Sequence, residues 1–148
     1  MKLRTLLLAL LTAPLLLGCV KEPAAFLIQG GDHSLTIERN KPYFWSDGWE
    51  VDLIAARYPD CQRRHSLRKT GERLRIDLYR VEPGVFILNQ GKRWYITETR
   101  DCRMQQFDAE PPEAGEFIGS FREKNEVFIF EPYEEEAKTP KNGKAPKK

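Results

Sequence analysis

The sequence predicts an all-β fold, a small antiparallel sandwich or barrel of about seven to eight strands. Three observations carry that expectation: short runs in which apolar and polar residues alternate, turn-forming clusters roughly every eight to twelve residues, and no long amphipathic helical stripe. The chain has 148 residues, 41% of them apolar, with 3 Cys, 10 Gly and 10 Pro. That composition fits one domain and excludes a disulfide-dense miniature scaffold, a collagen-like chain and a wholly disordered one.

In chain order, His33 to Arg39 places Leu35 and Ile37 on one face of a half-buried strand. Pro42-Tyr43-Phe44-Trp45 is short and aromatic, and Ser46-Asp47-Gly48 signals a turn. Trp49 to Tyr58 fits two periods, a strand through Val51, Leu53 and Ala55 or a helix through Val51, Ile54, Ala55 and Tyr58. Gly48 and Pro59 bracket so short a segment that the strand is favoured. Arg73 to Val81 alternates most cleanly, with Leu74, Ile76 and Leu78 on one side and Arg75 and Asp77 on the other. Glu82-Pro83-Gly84 turns it into Val85 to Leu88, and Asn89-Gln90-Gly91 leads to Arg93 to Thr99, which completes a three-stranded meander. The prolines of Glu110 to Gly115 suit neither a helix interior nor a central strand. Phe117 to Phe121 and Val127 to Phe130 read as a final hairpin across the charged residues 122–126.

The first eighteen residues differ from the rest. Lys2 and Arg4 precede an uncharged, leucine-rich run of twelve residues, Leu6 to Leu17, in which Thr12 is the one polar side chain. That length suits the apolar region of a signal peptide and falls short of the roughly 18 to 20 residues a spanning helix needs. The run ends in Leu16-Leu17-Gly18-Cys19, which resembles the lipobox of bacterial lipoproteins: two aliphatics, a small residue and a Cys. The resemblance implies cleavage before Cys19, a diacylglycerol thioether on its sulfur and, in Gram-negative cells, a further acyl chain such as palmitate on its new amino group. Two or more such chains anchor a protein stably to a membrane. Val20 and Lys21 do not supply the Asp that retains enteric lipoproteins in the inner membrane. The resemblance therefore implies an exported protein at the outer membrane.

These readings divide the chain into a signal peptide over residues 1–18, a tether over 19–25, a single β-domain over 26–133 and a disordered tail over 134–148. The tail is a short acidic block followed by Lys, Pro, Gly and Ala, with nothing large and apolar to bury. Its five lysines could touch anionic lipid or polysaccharide, although a solvated tail is the simpler expectation. Without Lys2 and Arg4 the 24 basic residues fall to 22, equal to the 22 acidic ones. Nucleic-acid binding is not expected from so balanced a chain.

With Cys19 lipidated, Cys61 and Cys102 remain as an even pair in an oxidising compartment, and a disulfide is their simplest use. Closing a loop of roughly 40 residues contributes up to about 4 kcal/mol through chain entropy. Two sharper readings stay open beside it. Cys61, His65, Cys102 and His33 would make a tetrahedral metal set, but none has the tight two-residue spacing of a zinc motif, and no metal is expected. A Cys–His nucleophile is conceivable in outline, though an exported Cys with a second Cys at hand is more readily oxidised.

Arg57 to Arg80 holds eight basic residues against three acidic ones, and residues 110–136 hold nine acidic against two basic. Arg63, Arg64 and Arg68 form a candidate anion site beside the cysteine corner, since guanidinium forks suit carboxylate and phosphate. The plainer alternative is that these arginines pair with acidic residues on neighbouring strands. Tyr43, Trp45 and Trp49 are candidate partner-binding residues, with burial in the core as the commoner fate of such rings. There is no Ser-His-Asp order, phosphate loop or metal pair. The sequence thus suggests a non-enzymatic envelope lipoprotein that needs no cofactor and recognises a protein partner. Inhibition of an envelope-directed enzyme, or glycan binding, is the second reading, and a hydrolase with an unrecognised site the third.

Overall fold

A computed structural model describes residues 19–43, 45–71 and 73–134. The leader, nearly all of the expected C-terminal tail, Phe44 and Glu72 lie outside the described residues.

The fold is all-β, with ten strands in two antiparallel sheets. The first sheet is a plain meander of β1 (Val20–Gln29), β2 (His33–Lys41), β3 (Glu50–Arg57) and β4 (Cys61–Ser66). The second contains β5 (Arg75–Glu82), β6 (Val85–Gln90), β7 (Arg93–Glu98), β8 (Arg103–Gln106), β9 (Glu116–Lys124) and β10 (Val127–Pro132), in spatial order β10-β9-β5-β6-β7-β8. The second sheet is thus a four-stranded meander, β5 to β8, with the hairpin β9–β10 returning to pair on the far side of β5.

Alternation decides which side chains meet between the sheets. Leu35 and Ile37 of β2 stand opposite Ala55 and Leu53 of β3, and all four are fully buried. Ile76 and Leu78 of β5 stand opposite Phe121 of β9 and Leu88 of β6 in the facing layer, again with no exposure. Each such Leu, Ile or Phe contributes about 1.5–3 kcal/mol relative to an exposed position. The sandwich is closed along one side where β1 runs beside β10, with the Phe26 and Phe130 rings 5.0 Å apart.

Residues 49–58, readable as strand or helix, form β3. The expected meander and closing hairpin are present as β5–β7 and β9–β10. Two expectations need correction. There are ten strands rather than seven to eight, because β1, β4 and β8 carry weak alternation. The segment 19–25 is not a slack tether: Val20 to Ala25 pairs residue by residue with Lys41 to Thr36, so the sheet begins one residue after Cys19.

The inward face of β2 also carries a charge. Arg39 follows Leu35 and Ile37 into the interior, is 2% exposed, and is ion-paired to Glu22 of β1 and Glu123 of β9. Its guanidinium lies 4.4 Å from the centre of the Trp49 ring and 4.9 Å from that of Phe128. Two carboxylates and two aromatic faces offset the desolvation that burying a lone cation would cost.

Candidate functional site

The cysteine corner is a heavily braced turn. Cys61 opens β4 at one edge of the first sheet, and Cys102 ends the tight connection between β7 and β8 at the edge of the second. The two are disulfide-bonded with their Cα atoms 6.0 Å apart, so a covalent link joins the layers. Cys102 is fully buried and has φ 54°, a left-handed conformation uncommon outside glycine. The surrounding bonds fix it there. Glu98 accepts the backbone N–H groups of Arg100 at 2.9 Å, Asp101 at 3.0 Å and Arg103 at 3.1 Å. His65 Nε2 lies 2.8 Å from the Cys102 carbonyl, and Thr97 Oγ1 donates to the Arg103 carbonyl at 2.9 Å. On the near side His33 Nε2 is 2.8 Å from Thr99 Oγ1, which bonds the Gly84 carbonyl at 3.2 Å.

Two of these braces perturb titration. Burial, and then the nearby Arg57 cation, hold His33 below its ordinary range. Burial alone would raise Glu98, but its three backbone N–H bonds outweigh that and bring it below the usual carboxylate value.

The braced turn lines an open cleft of about 540 Å³ bounded by Arg57, Asp60, Cys61, Arg63, Arg100, Asp101 and Arg103. Arg57 and Arg63 come from the first sheet, Arg100 from the β7–β8 turn and Arg103 from β8 of the second, so the disulfide holds the two pairs of cations together. Two aspartates face these four arginines. The pairs are loose, Arg57 to Asp60 at 3.6 Å and Arg103 to Asp101 at 3.7 Å, between side chains 44–69% exposed. Such pairs are worth about 0–1 kcal/mol, and a better-placed anion can displace them. Arg63 and Arg100 have no carboxylate partner among the described residues. The cleft continues past Arg57 into a second space of about 840 Å³ at the end of the sandwich, where Phe26, Ile28, Val81 and Phe86 supply an apolar floor.

Of the predicted anion trio only Arg63 lies in this cleft. Arg63 and Arg64 are consecutive on a strand and so point to opposite faces. Arg64 lies on the outer face, where it is bound to Glu38 at 2.7 Å and Asp52 at 2.8 Å. It thus follows the plainer alternative of pairing across strands. Arg68 lies beyond β4 and outside the cleft, and its backbone carbonyl accepts Gln90 Nε2. The partner-binding trio also divides: Tyr43 and Trp45 are exposed and stacked at 5.0 Å, whereas Trp49 is half-buried against Arg39. The candidate metal set does not converge, since the two cysteines are bonded to each other and the two histidine rings are engaged separately. Among the described residues no group of three or more His, Cys, Asp or Glu is placed to hold a metal ion.

Arg57, Arg100, Arg103 and Glu98 were not singled out by sequence reasoning. The Arg100-Asp101-Cys102-Arg103 run flanks a predicted disulfide cysteine, and that adjacency was the available signal.

No family model matches the chain, and neither a curated protein nor a solved structure matches it.

Proposed function

We propose that the protein is a non-catalytic binding module of the bacterial envelope, acylated at Cys19 and held to the outer membrane, which recognises an acidic segment of a protein partner in its arginine cleft. The observation that carries this reading is the convergence of Arg57, Arg63, Arg100 and Arg103 on one braced cleft that holds only two loosely paired aspartates. Guanidinium forks grip carboxylates in pairs, and a cleft fixed before binding loses little side-chain freedom when filled.

Its place in the fold adds support. Cys19 precedes the start of β1, beside the end of β2, whereas the cleft lies at the end of β3 and the start of β4. The nine residues of β2 separate the two ends by roughly 25 Å. An anchor at Cys19 therefore turns the cleft away from the membrane. The non-catalytic part rests on chemistry: the disulfide occupies both cysteine sulfurs, and each histidine ring is bonded to the turn it braces.

The test uses the chain carrying Cys19→Ser and a fluorescent oligoglutamate peptide. Binding should weaken at least about tenfold, or 1.4 kcal/mol, in the Arg63→Ala/Arg100→Ala variant and stay unchanged in Arg64→Ala. Equal binding by all three proteins, or none by the parent, rejects the cleft as the recognition site.

A further inference from the structure

Four of the large apolar side chains exposed on the molecule, Val20, Tyr43, Trp45 and Val127, gather at the Cys19 end. Val20 lies opposite Lys41 in the β1–β2 ladder, and the loop carrying Tyr43 and Trp45 leaves directly from Lys41. Val127 opens β10 opposite Lys124, one position from Glu123, which reaches back to Arg39 of β2. The rings are not loosely held: Tyr43 and Trp45 are stacked within 7° of parallel, and the Tyr43 N–H donates to Ser46 Oγ at 3.2 Å. Gly48 closes the loop at φ 85°, where a Cβ would come within 2.2 Å of the Thr70 carbonyl oxygen, so the loop's base is pinned to residue 70. A stacked, exposed Tyr–Trp pair beside Lys41, on the sheet end that also carries Lys21, is the chemistry of the lipid headgroup region, where amphipathic rings settle and lysines meet phosphate.

We infer that this end is a bilayer-contact face, in which Tyr43 and Trp45 enter the headgroup layer beside the acylated Cys19 and fix the orientation of the sandwich. The inference rests on the proposed acylation and adds to it. An acyl anchor alone leaves a globule free to tilt, and with no slack between Cys19 and β1 the first ring pair it can set down is this one.

The experiment places the acylated chain that begins at Cys19 in vesicles of phosphatidylethanolamine with a minor share of phosphatidylglycerol, their acyl chains brominated near the headgroup. Bromine quenches tryptophan only at close range. Fluorescence should fall by about a third, because Trp45 is one of three tryptophans, and the fall should vanish in Trp45→Phe. Tyr43→Ser, which removes the stacking partner, should reduce it. Unquenched fluorescence in a chain whose Cys19 fragment carries the acylated mass overturns the contact face and spares the anchor, as does quenching equal in parent and Trp45→Phe. A Cys19 fragment of unmodified mass overturns both.

Discussion

Val20 stands opposite Lys41 at one end of the four-stranded sheet, and the same sheet ends on the other side with Arg57 opposite Cys61. Two chemically different surfaces therefore sit at opposite ends of one set of strands. The Val20 end is apolar and lysine-bearing, and the Arg57 end is a cationic cleft tied to the second sheet by a disulfide. On the proposed reading the first meets lipid and the second meets protein.

Removal of the disulfide should act on stability and on the cleft together. Cys61→Ala/Cys102→Ala, or reduction, should lower unfolding free energy by up to about 4 kcal/mol. It should also weaken oligoglutamate binding, because the arginine pairs then belong to sheets no longer linked at that edge. Denaturant unfolding with and without reductant measures the first effect. Two reactive thiols at positions 61 and 102 in unreduced, denatured protein would contradict it.

Arg39 should be the most costly charged residue to truncate. Arg39→Ala leaves Glu22 and Glu123 facing each other without a cation and opens a space between Trp49 and Phe128, for a loss of about 3 kcal/mol. Glu123→Gln should cost under about 1 kcal/mol, since that carboxylate is 45% exposed. Arg39→Met, which keeps the stem between the rings, should fall between them. Similar losses in all three variants would show that the charge is not what matters.

The braces around the turn should appear as two separate windows of acid sensitivity. His33 titrates in the folded chain below its ordinary 6.5, so full stability holds above that value and declines as pH falls through the folded pKa. Glu98 lies below its ordinary 4.5, so its contribution is present above that value and disappears at lower pH. His33→Gln should flatten the upper window and Glu98→Gln the lower one, as read from denaturation midpoints against pH. Glu98→Gln should also weaken binding in the cleft, because its carboxylate orders the backbone that presents Arg100 and Arg103. Unchanged profiles in both variants would remove these residues from the account.

The strands legible in the sequence are those whose inward residues are apolar: Leu35 and Ile37 in β2, Ile76 and Leu78 in β5, and Phe128 and Phe130 in the edge strand β10 announce the period of two. The strands that escaped notice, β1, β4 and β8, all lie at sheet edges. Edge strands tolerate proline and polar inward residues, and here Pro23 lies in β1, while β4 turns Cys61, Arg63 and His65 inward. Missing β4 as a strand is also what made Arg63 and Arg64 read as one site, since alternation separates them. The disulfide could be predicted from counting cysteines, but the cleft could not, because Arg57 and Arg63 meet Arg100 and Arg103 only when the second sheet folds back. Arg39 sits in the register of the core, but nothing near it in the sequence marks it as buried, because the carboxylates that neutralise it are 17 and 84 residues away.

The most direct test of this two-ended account replaces Tyr43 or Tyr58, both exposed and at opposite ends of the first sheet, with a photoreactive phenylalanine in cells. Irradiation should give lipid adducts from position 43, and from position 58, beside Arg57, a discrete protein adduct that disappears in Arg63→Ala/Arg100→Ala. Lipid adducts from position 58, or one protein adduct shared by both positions, would contradict it.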